Sequence, residues 1–182
     1  QLPDAYRRMS DGDVISIGGR PWHVVTGCGH SPEHACLWAP DINVFISGDQ
    51  ILPRISSNVS VFPTEPEADP LKDWLDSCAK LKATIPADVL VLPAHNEPFH
   101  GAHKRLDALI DGHELGMTRL LSRLGEPRRV IDLFTALFAR AIDPDTLGMA
   151  TGEALAHLNC LKGRGLIVSE QDAGTTLYRR VS

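Results

Sequence analysis

The sequence predicts an α/β protein in two parts, a sheet-rich part over residues 1–112 and a smaller, mainly helical part over 113–182. Three observations support this. Between residues 14 and 47, short apolar, β-branched runs alternate with glycine and proline turns, the pattern of strands. From residue 106 onward, leucines recur at three- and four-residue spacing, the pattern of amphipathic helices. Charge changes at the same place: residues 1–112 carry a net −6 and 113–182 a net +1.

Val14 to Ile17, Trp22 to Val25, Cys36 to Trp38 and Asn43 to Ile46 read as strands. Pro53, Pro63, Pro66 and Pro70 exclude regular structure over 53–70 and predict a long loop of the kind that borders a site. Asp69 and Pro70 read as the N-cap and first position of a helix whose apolar residues Leu71, Trp74, Leu75, Cys78 and Leu81 continue toward Pro86. Val89 to Leu92 is apolar at every position and predicts a strand covered on both faces. Leu106, Leu109, Ile110, Met117, Leu120, Leu121 and Leu124 predict a long helix kinked at Gly112 or Gly116. Two more helices follow, over Val130 to Ala141 and around Leu155 to Leu161, the last stopped by Gly163 and Gly165. A hairpin turning at Asp172-Ala173-Gly174 ends the chain. Three helices and a hairpin outline a winged helix, whose predicted core is Leu120, Leu124, Leu133, Phe134, Leu137, Leu155, Leu158 and Leu166. Trp22, Trp38 and Trp74 fall on these patterns and read as packing residues.

Composition narrows the function classes. With 182 residues, 43% hydrophobic and 23% charged, the chain is of ordinary globular type. No apolar run approaches the roughly 18 residues of a membrane span, and the start lacks the apolar core of a signal peptide. A net charge of −5 excludes a general nucleic-acid binder. The four cysteines show no C-x-x-C pairing, which argues against a zinc ribbon or a disulfide framework and predicts a cytoplasmic location.

Three stretches place a metal-competent side chain where an apolar strand ends: GHSPEH at 29–34, SGDQ at 47–50 and PAHNEP at 93–98. Strand ends hold ligands because side chains project from a rigid edge into a crevice. His30, Asp49 and His95 are the candidate metal ligands; a single turn histidine is more often a hydrogen-bonded surface residue, and only the combination points to a site. His34 is either a residue that orients the site or a turn hydrogen-bonding partner. His100 and His103 read as solvent-exposed or helix-capping, and Glu97 as solvated.

In this order the three stretches resemble the downstream half of the metallo-β-lactamase-fold hydrolases, over about residues 14–100. Residues 105–182 resemble the winged-helix tail found in bacterial relatives of the β-lactamase-like protein 2 endonucleases. The resemblance implies half of an αββα sandwich joined to a winged helix, with His30 completing one metal site, His95 the other and Asp49 bridging both. It implies two Zn²⁺ ions some 3.5–4 Å apart. It further implies a metal-bound hydroxide that attacks an ester, thioester, lactone or phosphodiester, with no side-chain nucleophile assigned.

One departure accompanies the match. The superfamily's upstream H-x-H-x-D-H signature has no counterpart in residues 1–29, where His23 stands alone. The chain therefore reads as a C-terminal fragment, inactive by itself, whose partner is its missing N-terminal half. Its unpaired sheet face predicts a homodimer or weak stability. The competing function is a winged-helix nucleic-acid-binding regulator with a degenerate, non-catalytic first domain. Its recognition helix would be MATGEALAHLNCLK at 149–162, which offers one lysine and one glutamate, and the basic pairs of this part are Arg128-Arg129 and Arg179-Arg180. So little charge favours an accessory role in packing or substrate positioning.

Overall fold

The computed structural model describes residues 6–181. The chain forms two compact units: one takes the residues up to Ser57 together with Ser77–Leu106, the other Asn58–Asp76 and the residues from Asp107 onward. The stretch 58–76 thus packs with the C-terminal elements.

In the first unit β1 (Val14–Ile17), β2 (Arg20–Gly27), β3 (His34–Ala39), β4 (Val44–Gly48) and β5 (Leu90–Pro93) make one sheet in sequence order. The first four are antiparallel neighbours, whereas β5 runs parallel to β4. A parallel pair requires a crossover, here α1 (Pro70–Thr84). The Lys72 amide donates to Asp69 Oδ1 at 3.0 Å, and with Pro70 at the first helical position this is the predicted N-terminus.

Val25, Cys36, Phe45 and Val91 are buried on one side of the sheet, as are Cys78 and Leu81 of α1. The other side is less covered. Leu37, Ile46 and Leu92 stand opposite one another across β3, β4 and β5; Leu37 and Leu92 are half-buried and Ile46 is 36% exposed. The strand expected to be covered on both faces is therefore fully covered on one, where Val89 and Val91 lie, while Leu90 and Leu92 stay half-buried. Of the tryptophans Trp74 is fully buried, whereas Trp22 on β2 and Trp38 on β3 are half-buried.

The second unit contains the greater part of α2 (Ala102–Arg123), then a 3-10 turn (Val130–Leu133), α3 (Phe134–Leu137), α4 (Leu147–Gly163) and a hairpin of β6 (Ile167–Asp172) and β7 (Thr175–Arg180). Ala173 and Gly174, both at positive φ, form the two-residue turn that matches strand twist. An isolated antiparallel bridge pairs Arg128 with Tyr178. Gly112 and Gly116 do not interrupt α2. A Cβ at Gly116 would stand 3.2 Å from Leu137 and 3.4 Å from His157, so the glycine serves close packing. The helix expected over Val130 to Ala141 is one 3-10 turn and one α-turn, with Phe138 already extended.

Leu120, Leu124, Leu133 and Leu158 are buried as expected, but Phe134, Leu137 and Leu155 are half-buried and Leu166 is 41% exposed. The Leu166 amide closes α4 on Leu161 O at 3.0 Å, and the strand starts one residue later, so Ile167 faces inward. Neighbouring strand residues take opposite faces, and the shift of one residue exchanges them. Among the described residues no helix is long and apolar enough to cross a membrane.

A buried histidine pair joins α2 to α4. His113 Nδ1 lies 3.2 Å from His157 Nε2, and His157 Nδ1 lies 2.8 Å from Glu153 O. The carbonyl can only accept, so His157 carries its proton on Nδ1 and accepts at Nε2 a hydrogen bond that His113 donates through its Nδ1–H. Burial and the neighbouring His157 push the His113 pKa down to about 4, and burial lowers that of His157. Both rings are neutral in the fold, so the unfolded chain binds more protons between the ordinary value of 6.5 and about 4. Stability is fully present above pH 6.5 and falls toward pH 4, by about 3 kcal/mol. Urea unfolding at pH 7, 5.5 and 4 is expected to show this loss, and His113→Leu to flatten it.

Candidate functional site

Strand direction assembles the site. β3 runs against β2 and β4, so β2 and β4 point the same way, and β5 is parallel to β4. The C-terminal ends of β2, β4 and β5 therefore lie at one edge of the sheet, beside the start of β3. His30 follows β2, Asp49 follows β4, His95 follows β5, and His34 opens β3.

These residues meet. Asp49 Oδ2 is 3.7 Å from His30 Nε2, and Asp49 Oδ1 is 3.4 Å from His95 Nε2. One carboxylate thus stands between two imidazoles contributed by residues 65 positions apart in sequence. Asp49 Oδ1 is buried with no hydrogen-bond partner, an unusual state for a carboxylate oxygen and one that calls for a missing ligand, ion or water. An oxygen so placed, flanked by nitrogens able to donate lone pairs, fits a carboxylate shared between metal ions. Among the described residues, however, no three His, Cys, Asp or Glu side chains form a group able to hold a metal ion. The donors present fit part of a metal centre, and further donors are needed to complete it.

His34 makes contacts of both kinds, with Ser31 Oγ 3.4 Å from its Nδ1 across the turn. The Asp49 backbone amide donates to His34 Nε2 at 3.2 Å, so this nitrogen orients Asp49. The His34 pKa is lowered, first by burial and then by the nearby His30, which keeps the ring neutral and able to accept. The ring lies directly over Gly48, where an added Cβ would overlap Nε2. Gly48 also has φ +54, a left-handed conformation that side-chain-bearing residues adopt at a cost. Glycine is required there on both counts.

Two further residues hold the chain after Asp49, and neither carries a local sequence signal. The Ser57 hydroxyl donates to the Asp49 carbonyl, eight residues back. Arg105, in the first turn of α2, donates through Nε to Leu52 O at 2.6 Å and through Nη2 to Ile55 O at 2.8 Å. The start of the proline-rich stretch, up to Ser57, is thus pinned near the site although it has no regular structure. Glu97 pairs with Arg54 across two loops, so it is engaged rather than merely solvated. His100 and His103 bind the backbone carbonyls of Asp88 and Ile85 at 2.9 and 2.7 Å, which gives them roles in joining segments.

The sequence pattern of the metallo-beta-lactamase superfamily matches residues 2–95. The chain belongs to this superfamily. Residues 117–181 match the metallo-beta-lactamase-like C-terminal domain. The chain is similar to a beta-lactamase domain protein from Burkholderia ambifaria, at 42% identity and a TM-score of 0.94, covering 100% of this chain and 54% of that one. It is also similar to a metallo-beta-lactamase family protein from Thermus thermophilus, at 27% identity and a TM-score of 0.83, covering 98% of this chain and 56% of that one. The chain spans about half the length of these relatives.

Gly48→Ala should lose roughly 1–2 kcal/mol of stability from the left-handed backbone alone, and should also displace His34 from the Asp49 amide. Urea unfolding reads the first effect, and the ¹⁵N shift of His34 Nε2 the second. An unmoved imidazole signal would show that His34 does not depend on the space above Gly48.

Proposed function

We propose that this chain supplies part of the dinuclear zinc centre of a hydrolase, with Asp49 as the shared ligand, His30 on one metal and His95 on the other. The superfamily carries a metal-dependent hydrolase-like fold, and the observation that bears the weight here is the buried, unpartnered Asp49 Oδ1 between the two imidazoles. Bound metal ions would supply Lewis acidity and an activated water. The chain's own residues do the positioning: Asp49 presents one carboxylate oxygen toward each histidine, while His34 and Ser57 hold its amide and carbonyl.

The three cysteines with shifted acidity support water rather than a thiolate as nucleophile. Burial pushes Cys36 and Cys78 up to about 12 and Cys160 up to about 11, so these thiols stay protonated at neutral pH. Cys36, Cys78 and Cys160 form no disulfide, which suits a cytoplasmic setting. The substrate class is an ester, thioester, lactone or phosphodiester.

In this reading the remaining ligands come from an upstream H-x-H-x-D-H segment, and the chain alone is inactive. The same upstream half, or a second copy, would cover the open row of Leu37, Ile46 and Leu92. The C-terminal elements are read as a winged helix, and the burial of α4 from Ala154 to Leu161, apart from half-buried Leu155, supports a packing role over duplex recognition. Lys162 and Arg164 at its end are engaged by Glu67 and Glu114, which leaves little charge for phosphates.

Zinc titration of the 182-residue chain by calorimetry should give weak binding below two ions per chain, abolished by Asp49→Asn and reduced by His30→Ala or His95→Ala. The protein extended to include the upstream ligands should bind two ions tightly and hydrolyse one of the four bond types. Tight two-metal binding and turnover by the 182-residue chain would overturn the division of ligands proposed here.

A further inference from the structure

Gln50 follows Asp49 in the chain and is completely buried, with neither carboxamide atom hydrogen-bonded. A buried amide without partners costs free energy, so its place in the core calls for another reason. The packing around it supplies one. A Cβ on Gly27, the last residue of β2, would overlap the carboxamide carbon of Gln50 and stand 2.5 Å from Oε1 and 2.7 Å from Nε2. Gly27 is not at positive φ, so its backbone does not require glycine and the missing side chain serves this contact. In the sheet β3 lies between β2 and β4, with Gly27 paired to His34. The Gln50 side chain therefore leaves the end of β4, spans the start of β3 and rests on the end of β2.

Consecutive residues thus reach two points on the segment that carries His30. Asp49 Oδ2 lies 3.7 Å from His30 Nε2, while Gln50 bears on Gly27, three residues earlier. Just beyond Gly27 the Cys28 amide donates to Ser77 Oγ of α1 at 2.7 Å, and Cys28 Sγ donates to Pro32 O at 3.0 Å across the turn. The base of the turn is fixed, and Gln50 ties that base to the segment carrying Asp49. All of these residues belong to the first unit. We propose that Gln50 is a positioning residue for His30: by its bulk against Gly27 it sets the separation of the ends of β2 and β4, and with it the distance from the imidazole to the Asp49 carboxylate. The carboxamide makes no hydrogen bond, so the effect comes from contact, and a methionine of similar length preserves it. This rests on the reading of His30 and Asp49 as metal ligands.

The test uses the 182-residue chain without metal, so its outcome is separate from that of the zinc titration. In Gln50→Ala the ring ¹⁵N signals of His30 are expected to shift, and the Cys28 amide to exchange with solvent at least about tenfold faster. Gly27→Ala, whose added methyl must push Gln50 aside, should reproduce both changes and serves alone if Gln50→Ala does not fold. Gln50→Met should leave the His30 signals in place. Ile85→Ala, a buried core change just beyond the end of α1, should lower the urea midpoint without moving them. His30 signals unmoved in both Gln50→Ala and Gly27→Ala overturn the positioning role, as does an equal shift in Ile85→Ala. A shift in Gln50→Met as large as in Gln50→Ala overturns the assignment to contact.

Discussion

Everything at the candidate site depends on the direction in which three strands run. Because β3 reverses the chain between β2 and β4, and α1 carries it back to lay β5 parallel to β4, three C-terminal strand ends open on the same edge. A direct hairpin from β4 to β5 would have sent His95 to the opposite edge. The proline-rich stretch and α1 together span the distance that a parallel connection demands, so the crossover is a condition of the site as well as of the sheet.

Around that edge the protein fixes a backbone before it fixes a side chain. Asp49 is held at its amide by His34 and at its carbonyl by Ser57, while its carboxylate is left with an unpartnered oxygen facing His95. Leaving a buried carboxylate oxygen unsatisfied costs free energy, on the order of 1–3 kcal/mol, and native proteins tolerate such a cost chiefly where a ligand will use the group. The glycine at 48 belongs to the same arrangement, since it gives both the turn into Asp49 and the room that His34 occupies. In the second unit the close approaches at Gly116 and Gly152 serve packing alone, one admitting His157 and Leu137, the other the segment 58–69.

Two polar clusters among the described residues differ in kind. The His113–His157 pair is enclosed, neutral and internally satisfied except at His113 Nε2, and its consequence is a pH-dependent stability. The His30, Asp49 and His95 cluster is open to solvent at its edges, with His95 65% exposed, and lacks donors enough to close around an ion. Enclosure with mutual hydrogen bonds makes a structural element, whereas exposed donors around an unpaired oxygen make a place for a ligand.

By itself the sequence determined most of the elements, though not the short turns of 130–137, and singled out three candidate ligands. Val14 to Ile17, the Asp69-Pro70 helix start, the Ala173-Gly174 turn and the three metal-competent strand ends are all legible because each rests on local rules of periodicity, capping or turn chemistry. Tertiary structure decided what spacing cannot carry. The role of His34 depends on an amide fifteen residues away, and those of Ser57 and Arg105 on carbonyls they reach only once the loop has folded. The inward turn of Ile167 in place of Leu166 depends on where α4 closes, a shift of one residue that leaves the apolar pattern almost unchanged but reverses the face it presents. The pairing of residues 58–76 with the C-terminal elements is of the same kind, since Asn159 and Gly152 become anchors only when a segment some ninety residues earlier lies against them.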